Sequence, residues 1–254
     1  MTINLELQLR ERWYRVDVAA AVDLALPLEH EQSAPAFFGA DAARADVFVS
    51  SDFVGDTRSG GSCNVRSWRI TPHCNGTHTE SVGHIVDDSV PIGPRLPSQP
   101  IPATLVSVAA NSHKEIDAAA VAPFVAAALP ALVLRTQSHD LRNDDYAVLT
   151  DAAMAAIADS AVEHLLIDTP SLDRSNDVHL RNHRRYWGLA ENERRVAEVR
   201  HPTRTVTEFI HVPRYAADGD YLLCIGCANW LSDAAPSRPV LYPLEERVDA
   251  SQSA

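Results

Sequence analysis

Between Thr104 and Asp168 the chain alternates short aliphatic runs with alanine-rich stretches, and this alternation leaves few folds open. Thr104–Ala109 (TLVSVA), Ala131–Thr136 (ALVLRT) and His164–Asp168 (HLLID) have the length and content of buried strands. Between them, Asp117 can cap a helix over 117–129, and Thr150 can cap one over 151–160. Pro123 either kinks the first helix or starts a second short one. Further strand-like runs occur at Val47–Val49, at Ser67–Ile70 and twice between Tyr215 and Tyr242. Together these predict an α/β fold with a mixed sheet and additional β structure at both ends.

Other stretches are loops. Val90–Pro102 (VPIGPRLPSQPIP) holds five prolines, cannot be a helix interior, and is expected to run extended. Phe53–Asn64 is rich in Gly and Asp and is expected to turn. The tail after Glu245 is polar and expected to fray. No Gly/Ser linker divides the chain, so one domain over 1–254 is expected, with an ordered core of about 15–245.

With 22 basic against 34 acidic residues, the net charge of −12 disfavours nucleic acid and anionic membranes as partners. No apolar run reaches 18 residues, so no membrane span is expected. The N-terminus lacks the apolar core of a secretion signal, and a cytoplasmic location is the expectation. In that setting Cys63, Cys74, Cys224 and Cys227 are free thiols or metal ligands rather than a disulfide framework. Cys224 and Cys227 form a CxxC in an apolar run, without a second CxxC or a thioredoxin-like context, and are expected to be structural.

The segment Pro72-His73-Cys74-Asn75-Gly76-Thr77-His78-Thr79-Glu80-Ser81-Val82-Gly83-His84 concentrates the chemistry. Three imidazoles, a thiol and a carboxylate within twelve residues are the usual donors to zinc and similar ions. His78 and Glu80 stand two apart, on one side of an extended chain. Gly76 permits a bend that can bring His73 or Cys74 to the same point. A histidine-rich surface loop is the alternative.

This segment resembles the signature of the metal-dependent cyclase and formamidase family, which contains bacterial kynurenine formamidase. That signature runs His-x-Gly-Thr-His-x-Asp-x-Pro-x-His. Gly76, Thr77, His78 and His84 match it. Cys74 stands in place of the first His, Glu80 in place of Asp and Val82 in place of Pro, while His73 lies one residue early as an alternative ligand. Leu166–Asp173, Ala131–Thr136, His183–Gly188, Thr207–Ile210 and Ala235–Leu241 resemble further family segments in the same order.

The resemblance implies a swivelling β/β/α fold and a site for one or two divalent ions, zinc before manganese. The implied ligands are Cys74, His78, Glu80, His183 and Glu208, with His84 as acid/base. His179, four residues before His183, is the competing candidate. The implied reaction is attack of metal-activated water on a formamide, amide, lactam or lactone of a small molecule. Trp68, Tyr186, Trp187 and Trp230 are available to stack on an aromatic substrate. A cyclase or lyase that uses the ion to polarise a carbonyl is the alternative. The three departures also leave open a catalytically silent binding protein. A homodimer or larger homo-oligomer is expected.

Overall fold

The computed structural model describes residues 5–30, 35–136 and 145–247. Eleven strands form its main sheet. In chain order they are β1 (Leu5–Leu9), β2 (Arg12–Val16), β3 (Val22–Asp23), β4 (His78–Glu80), β5 (Ile101–Ser107) and β6 (Ala131–Arg135). They continue with β7 (His164–Ile167), β8 (Thr205–Glu208), β9 (Gly219–Gly226), β10 (Ala234–Pro236) and β11 (Arg238–Glu246). Their spatial order is β1-β2-β11-β9-β5-β6-β7-β8-β4-β10, with β3 against β11.

The middle of the sheet, β5-β6-β7-β8, is parallel, and every other pairing is antiparallel. Three helices make the crossovers: α1 (Ala118–Val125), α2 (Asp151–Ala158) and α3 (Arg181–Trp187). The expected mixed α/β architecture is therefore present, and α2 packs between α1 and α3 on one face.

Local chemistry explains the boundaries. Asp117 accepts the Ala120 amide (3.0 Å), and Thr150 Oγ1 accepts the Ala153 amide (3.2 Å), each satisfying an orphan donor of a first turn. Pro123 sits inside α1, which ends two residues later. Helix α3 ends at Gly188, whose φ of +70° suits a residue without Cβ.

The parallel strands are buried on both faces, which is why they look continuously apolar in sequence. Leu132, Leu134, Leu165, Ile167 and Val206 face Val121, Met154, Ile157 and Trp187 of the helices. The alternate residues Ala131, Val133 and Leu166 face Leu24, Ile210, Leu223 and Leu241 on the other side.

Three expectations shift. The run at Val47–Val49 is broken at Phe48, giving Arg44–Val47 and Val49–Ser50, each in its own small antiparallel pair. The proline-rich stretch carries one 3-10 turn, Gly93–Arg95. The sheet also reaches to Leu5, ahead of the expected ordered core, through the β1–β2 hairpin. Of the polar tail, residues 248–254 lie outside the described residues. Among the described residues, no helix is long and apolar enough to cross a membrane.

Candidate metal centre

Sheet register builds the site. In the antiparallel β8–β4 pair, Glu208 lies opposite His78 and Val206 opposite Glu80. Residues directly opposite one another share a face, as do residues two apart, so His78, Glu80 and Glu208 project together. The intervening Thr79 points to the other face, where it bonds Thr207 and Ser237 at 2.8 Å each. Gly76, at φ +150°, makes the bend that leads into β4. His183 comes from the first turns of α3 and meets the strand residues from the helix side.

Four side chains are almost completely buried here: His78, Glu80, His183 and Glu208. His183 Nε2 lies 3.1 Å from Glu80 Oε1 and 3.2 Å from Glu208 Oε1. His78 Nε2 lies 3.4 Å from Glu208 Oε2. His73 Nδ1 lies 2.9 Å from Glu80 Oε2. Yet His73 Nδ1, His78 Nε2, His183 Nε2 and both oxygens of Glu80 are buried without a hydrogen-bond partner. These five buried polar atoms lie in two groups that share Glu80 and lack hydrogen bonds, an arrangement that costs free energy unless something between them satisfies them.

A cation fits that description. Donors held at about 2.1 Å from one ion, at angles between square and tetrahedral, stand about 3.0–3.4 Å apart. Three observed spacings, 3.1, 3.2 and 3.4 Å, fall in that range, and the fourth, 2.9 Å, lies just below it. The charge balance agrees: the ion pairs of Glu80, Glu208 and Asp233 are with histidines, and no Arg or Lys salt bridge reaches them among the described residues. Buried carboxylates need such compensation.

The protons respond in the same sense. Burial opposes the charge on Glu80, but His84 and His183 win and hold its carboxyl well below the usual range. Burial likewise opposes the His183 cation, and Glu208 and Glu80 hold its imidazole well above the ordinary value. His73, desolvated but bonded to Asp233 and close to Glu80, is held up at about 10.

The ligand-type imidazoles are tethered from behind. His78 Nδ1 lies 3.0 Å from the Gly76 carbonyl, and His183 Nδ1 lies 2.6 Å from Asp173 Oδ2. Both partners only accept, so Nδ1 carries a proton and Nε2 is the nitrogen that faces the cluster, free to offer its lone pair when an ion displaces any proton there. Asp173 also accepts the Asn182 (2.7 Å) and His183 (3.2 Å) amides, which fixes it at the start of α3.

His84 differs. Its side chain is 26% exposed, and its nearest carboxylates are 3.9 and 4.0 Å away, at Asp233 and Glu80. It joins Glu80 and His183 in a possible ligand group, but among the described residues nothing holds its ring by a hydrogen bond of ordinary length. Burial lowers its pKa, so at neutral pH it is a neutral imidazole able to accept a proton.

Of the sequence-predicted residues, the structure gathers His78, Glu80, His84, His183 and Glu208. Cys74 stands apart from them. Its thiol belongs to none of the ligand groups among the described residues, whereas His73 joins two of them. The turn explains this: the Cys74 and Asn75 amides both bond the Thr71 carbonyl, and the Cys74 carbonyl accepts the Phe37 amide. That winding turns residue 73, not 74, toward Glu80. His179 lies before α3, exposed and 3.3 Å from Glu191, away from the cluster. Tyr186 and Trp187 are fully buried and cannot stack on a substrate, whereas Trp230 is 39% exposed.

Two site residues carried no role in the sequence: Asp173, ten residues ahead of His183, and Asp233, just before β10. The signal for Asp173 was its place at the end of the resembling Leu166–Asp173 segment. Asp233 has only its position before the small residues Ala234 and Ala235.

The family model described as "Putative cyclase" matches residues 22–174, more than half the chain. The chain belongs to this cyclase family. The match ends before His183 and Glu208, which the fold itself brings to the site. No curated protein sequence matches.

Solved structures share the fold. A potential metal-dependent hydrolase with cyclase activity aligns at 14% identity over 88% of this chain and 98% of its own, with a TM-score of 0.63. A predicted metal-dependent hydrolase from Bacillus stearothermophilus aligns at 14% identity over 87% and 97%, with a TM-score of 0.61. Isatin hydrolase A from Labrenzia aggregata, bound to benzyl benzoate, aligns at 14% identity over 89% and 94%, with a TM-score of 0.62.

Proposed function

We propose that this chain is a metal-dependent hydrolase that cleaves a carbon–nitrogen bond of a small formamide, amide or lactam, or the ester bond of a lactone. The observation that carries the reading is five unpartnered buried donor atoms from His73, His78, Glu80 and His183, which fall in two ligand groups that share Glu80. His73, His78, Glu80, His183 and Glu208 would hold a divalent ion there, zinc or manganese by donor chemistry. When bound, the ion supplies Lewis acidity, polarising a carbonyl and acidifying water.

The chain's own residues divide the remaining work. The tethered imidazoles and the two glutamates fix the donor geometry in advance, so little reorganisation accompanies reaction. His84, neutral and reachable, takes a proton at a ring nitrogen from the attacking water. It then returns that proton to the departing nitrogen or oxygen. The hydrolases among the structural neighbours support this reaction class.

The family's description as a cyclase favours a second reading, in which His84 removes a proton from the substrate and no water adds. The metal-loaded protein, assayed against formamides, lactams and lactones in heavy-oxygen water, separates the two. Hydrolysis puts one labelled oxygen into the product carboxyl group. Label-free product would overturn the hydrolase.

A further inference from the structure

Asp233 lies outside both the signature and the inner cluster, yet it touches the site at two points. Its Oδ2 is 2.8 Å from His73 Nε2 and 3.9 Å from His84 Nδ1. The rings of His73 and His84 stand 4.2 Å apart, tilted by 31°. We propose that Asp233 is a positioning residue that presents His73, in place of Cys74, to the metal through Nδ1. This rests on the metal-dependent reading above.

The geometry follows from the hydrogen bond. A carboxylate accepts, so the shared proton sits on Nε2, and Nδ1 is the nitrogen that faces Glu80 and His78, where an ion would take the place of any proton on it. Each ligand-type imidazole then has an acceptor behind it: the Gly76 carbonyl for His78, Asp173 for His183 and Asp233 for His73. Such partners orient a metal-binding ring and raise its basicity. His84, with no partner at that distance, lacks the device that marks the others.

Asp233 is itself held. Ser232 Oγ donates to its Oδ1 at 2.9 Å, and its carbonyl accepts the Ser81 amide at 2.9 Å. Ala234, the next residue, lies opposite Glu80 in the sheet. Gly83 completes the approach, since a Cβ there would stand 2.8 Å from the Val90 carbonyl and 3.0 Å from the Asp233 Cβ. The bare glycine lets the 229–233 loop close over the signature. Cys74 has no comparable support, because its thiol belongs to none of the ligand groups among the described residues.

Zinc affinity, measured by competition with a chromophoric chelator, and the absorption spectrum of the cobalt-loaded protein test the assignment. Asp233→Ala is expected to weaken zinc binding about 10–100-fold, the usual effect of removing such a partner. Asp233→Asn, which keeps an acceptor oxygen, should fall between that variant and wild type. Cys74→Ser should bind zinc as wild type does. The wild-type cobalt spectrum should lack the intense thiolate-to-metal charge-transfer band.

Zinc affinity of Asp233→Ala within twofold of wild type would overturn the proposal. So would a charge-transfer band that Cys74→Ser removes, and that readout needs no folded Asp233 variant. Wild-type protein that takes up neither zinc nor cobalt would instead overturn the metal reading on which the proposal stands.

Discussion

The inner and outer halves of the site are built differently. His78, Glu80 and Glu208 sit on paired strands and His183 on the helix above them, all essentially sealed from water. His73, His84 and Asp233 sit on loops and a 3-10 turn, each with 23–34% of its side chain exposed. Backbone register fixes the inner group to within a rotamer, and burial makes any missing partner expensive. The outer group can meet a substrate and move a proton, at the cost of weaker definition. On the proposed reading, the sheet and α3 supply most of the ion's donors, the loops add His73, and His84 carries the proton.

If that division holds, inner variants should lose the ion, His73 and Asp233 variants should weaken its binding, and His84 variants should mainly lose rate. The largest effect is expected from Glu80→Gln. It removes the carboxylate charge that His73, His84 and His183 share. Bound metal should fall to background by elemental analysis, and the folded protein should be less stable, on the scale of about 3–5 kcal/mol for one partner lost from a buried ion pair. Metal retained at the wild-type level would break the comparison at its centre.

Next is His84→Ala. It should keep its metal and lose on the order of 10²–10⁴-fold in turnover, the range of a general acid/base. Parallel loss of metal and turnover would move His84 into the inner group.

A smaller effect concerns pH in the chelated protein. The His73 pKa is raised from 6.5 to about 10, so its stabilising contribution is whole below 6.5 and is lost as pH rises through 10. The Asp233 pKa is lowered from 3.8 to about 2, so its contribution is present above 3.8 and is lost as pH falls toward 2. The melting temperature in chelator should therefore decline from pH 6.5 toward 10, and His73→Gln should flatten part of that decline. An unchanged slope in that variant would show that the outer group stores little of the fold's stability. The smallest effect is expected from Cys74→Ser, whose turnover should stay near that of wild type.

The two halves were also unequally visible in the sequence. The parallel centre was legible because aliphatic strands alternated with capped helices, and Asp117 and Thr150 announced their helices. The inner residues were legible through their resemblance to a known signature, reinforced by the two-residue spacing of His78 and Glu80. The outer half was not. Whether residue 73 or 74 faces the site depends on how the turn after Thr71 winds, which the letters His-Cys do not encode. Asp233 reaches His73 from 160 positions away, through a strand pairing visible only in the fold. The β1–β2 hairpin was missed although Leu5–Leu9 alternates apolar and polar residues, because Arg12–Val16 breaks that alternation and no turn residues such as Asn-Gly mark the connection.

The central claim is that the inner donors exist to hold a divalent ion. Anomalous diffraction from crystals of the protein loaded with zinc tests it most directly. The account predicts a peak within bonding distance of Glu80 and His183, with His78, His73 and Glu208 around it and the Cys74 sulfur outside. A peak bound to Cys74, or no peak between Glu80 and His183 in crystals grown with excess zinc, would contradict it.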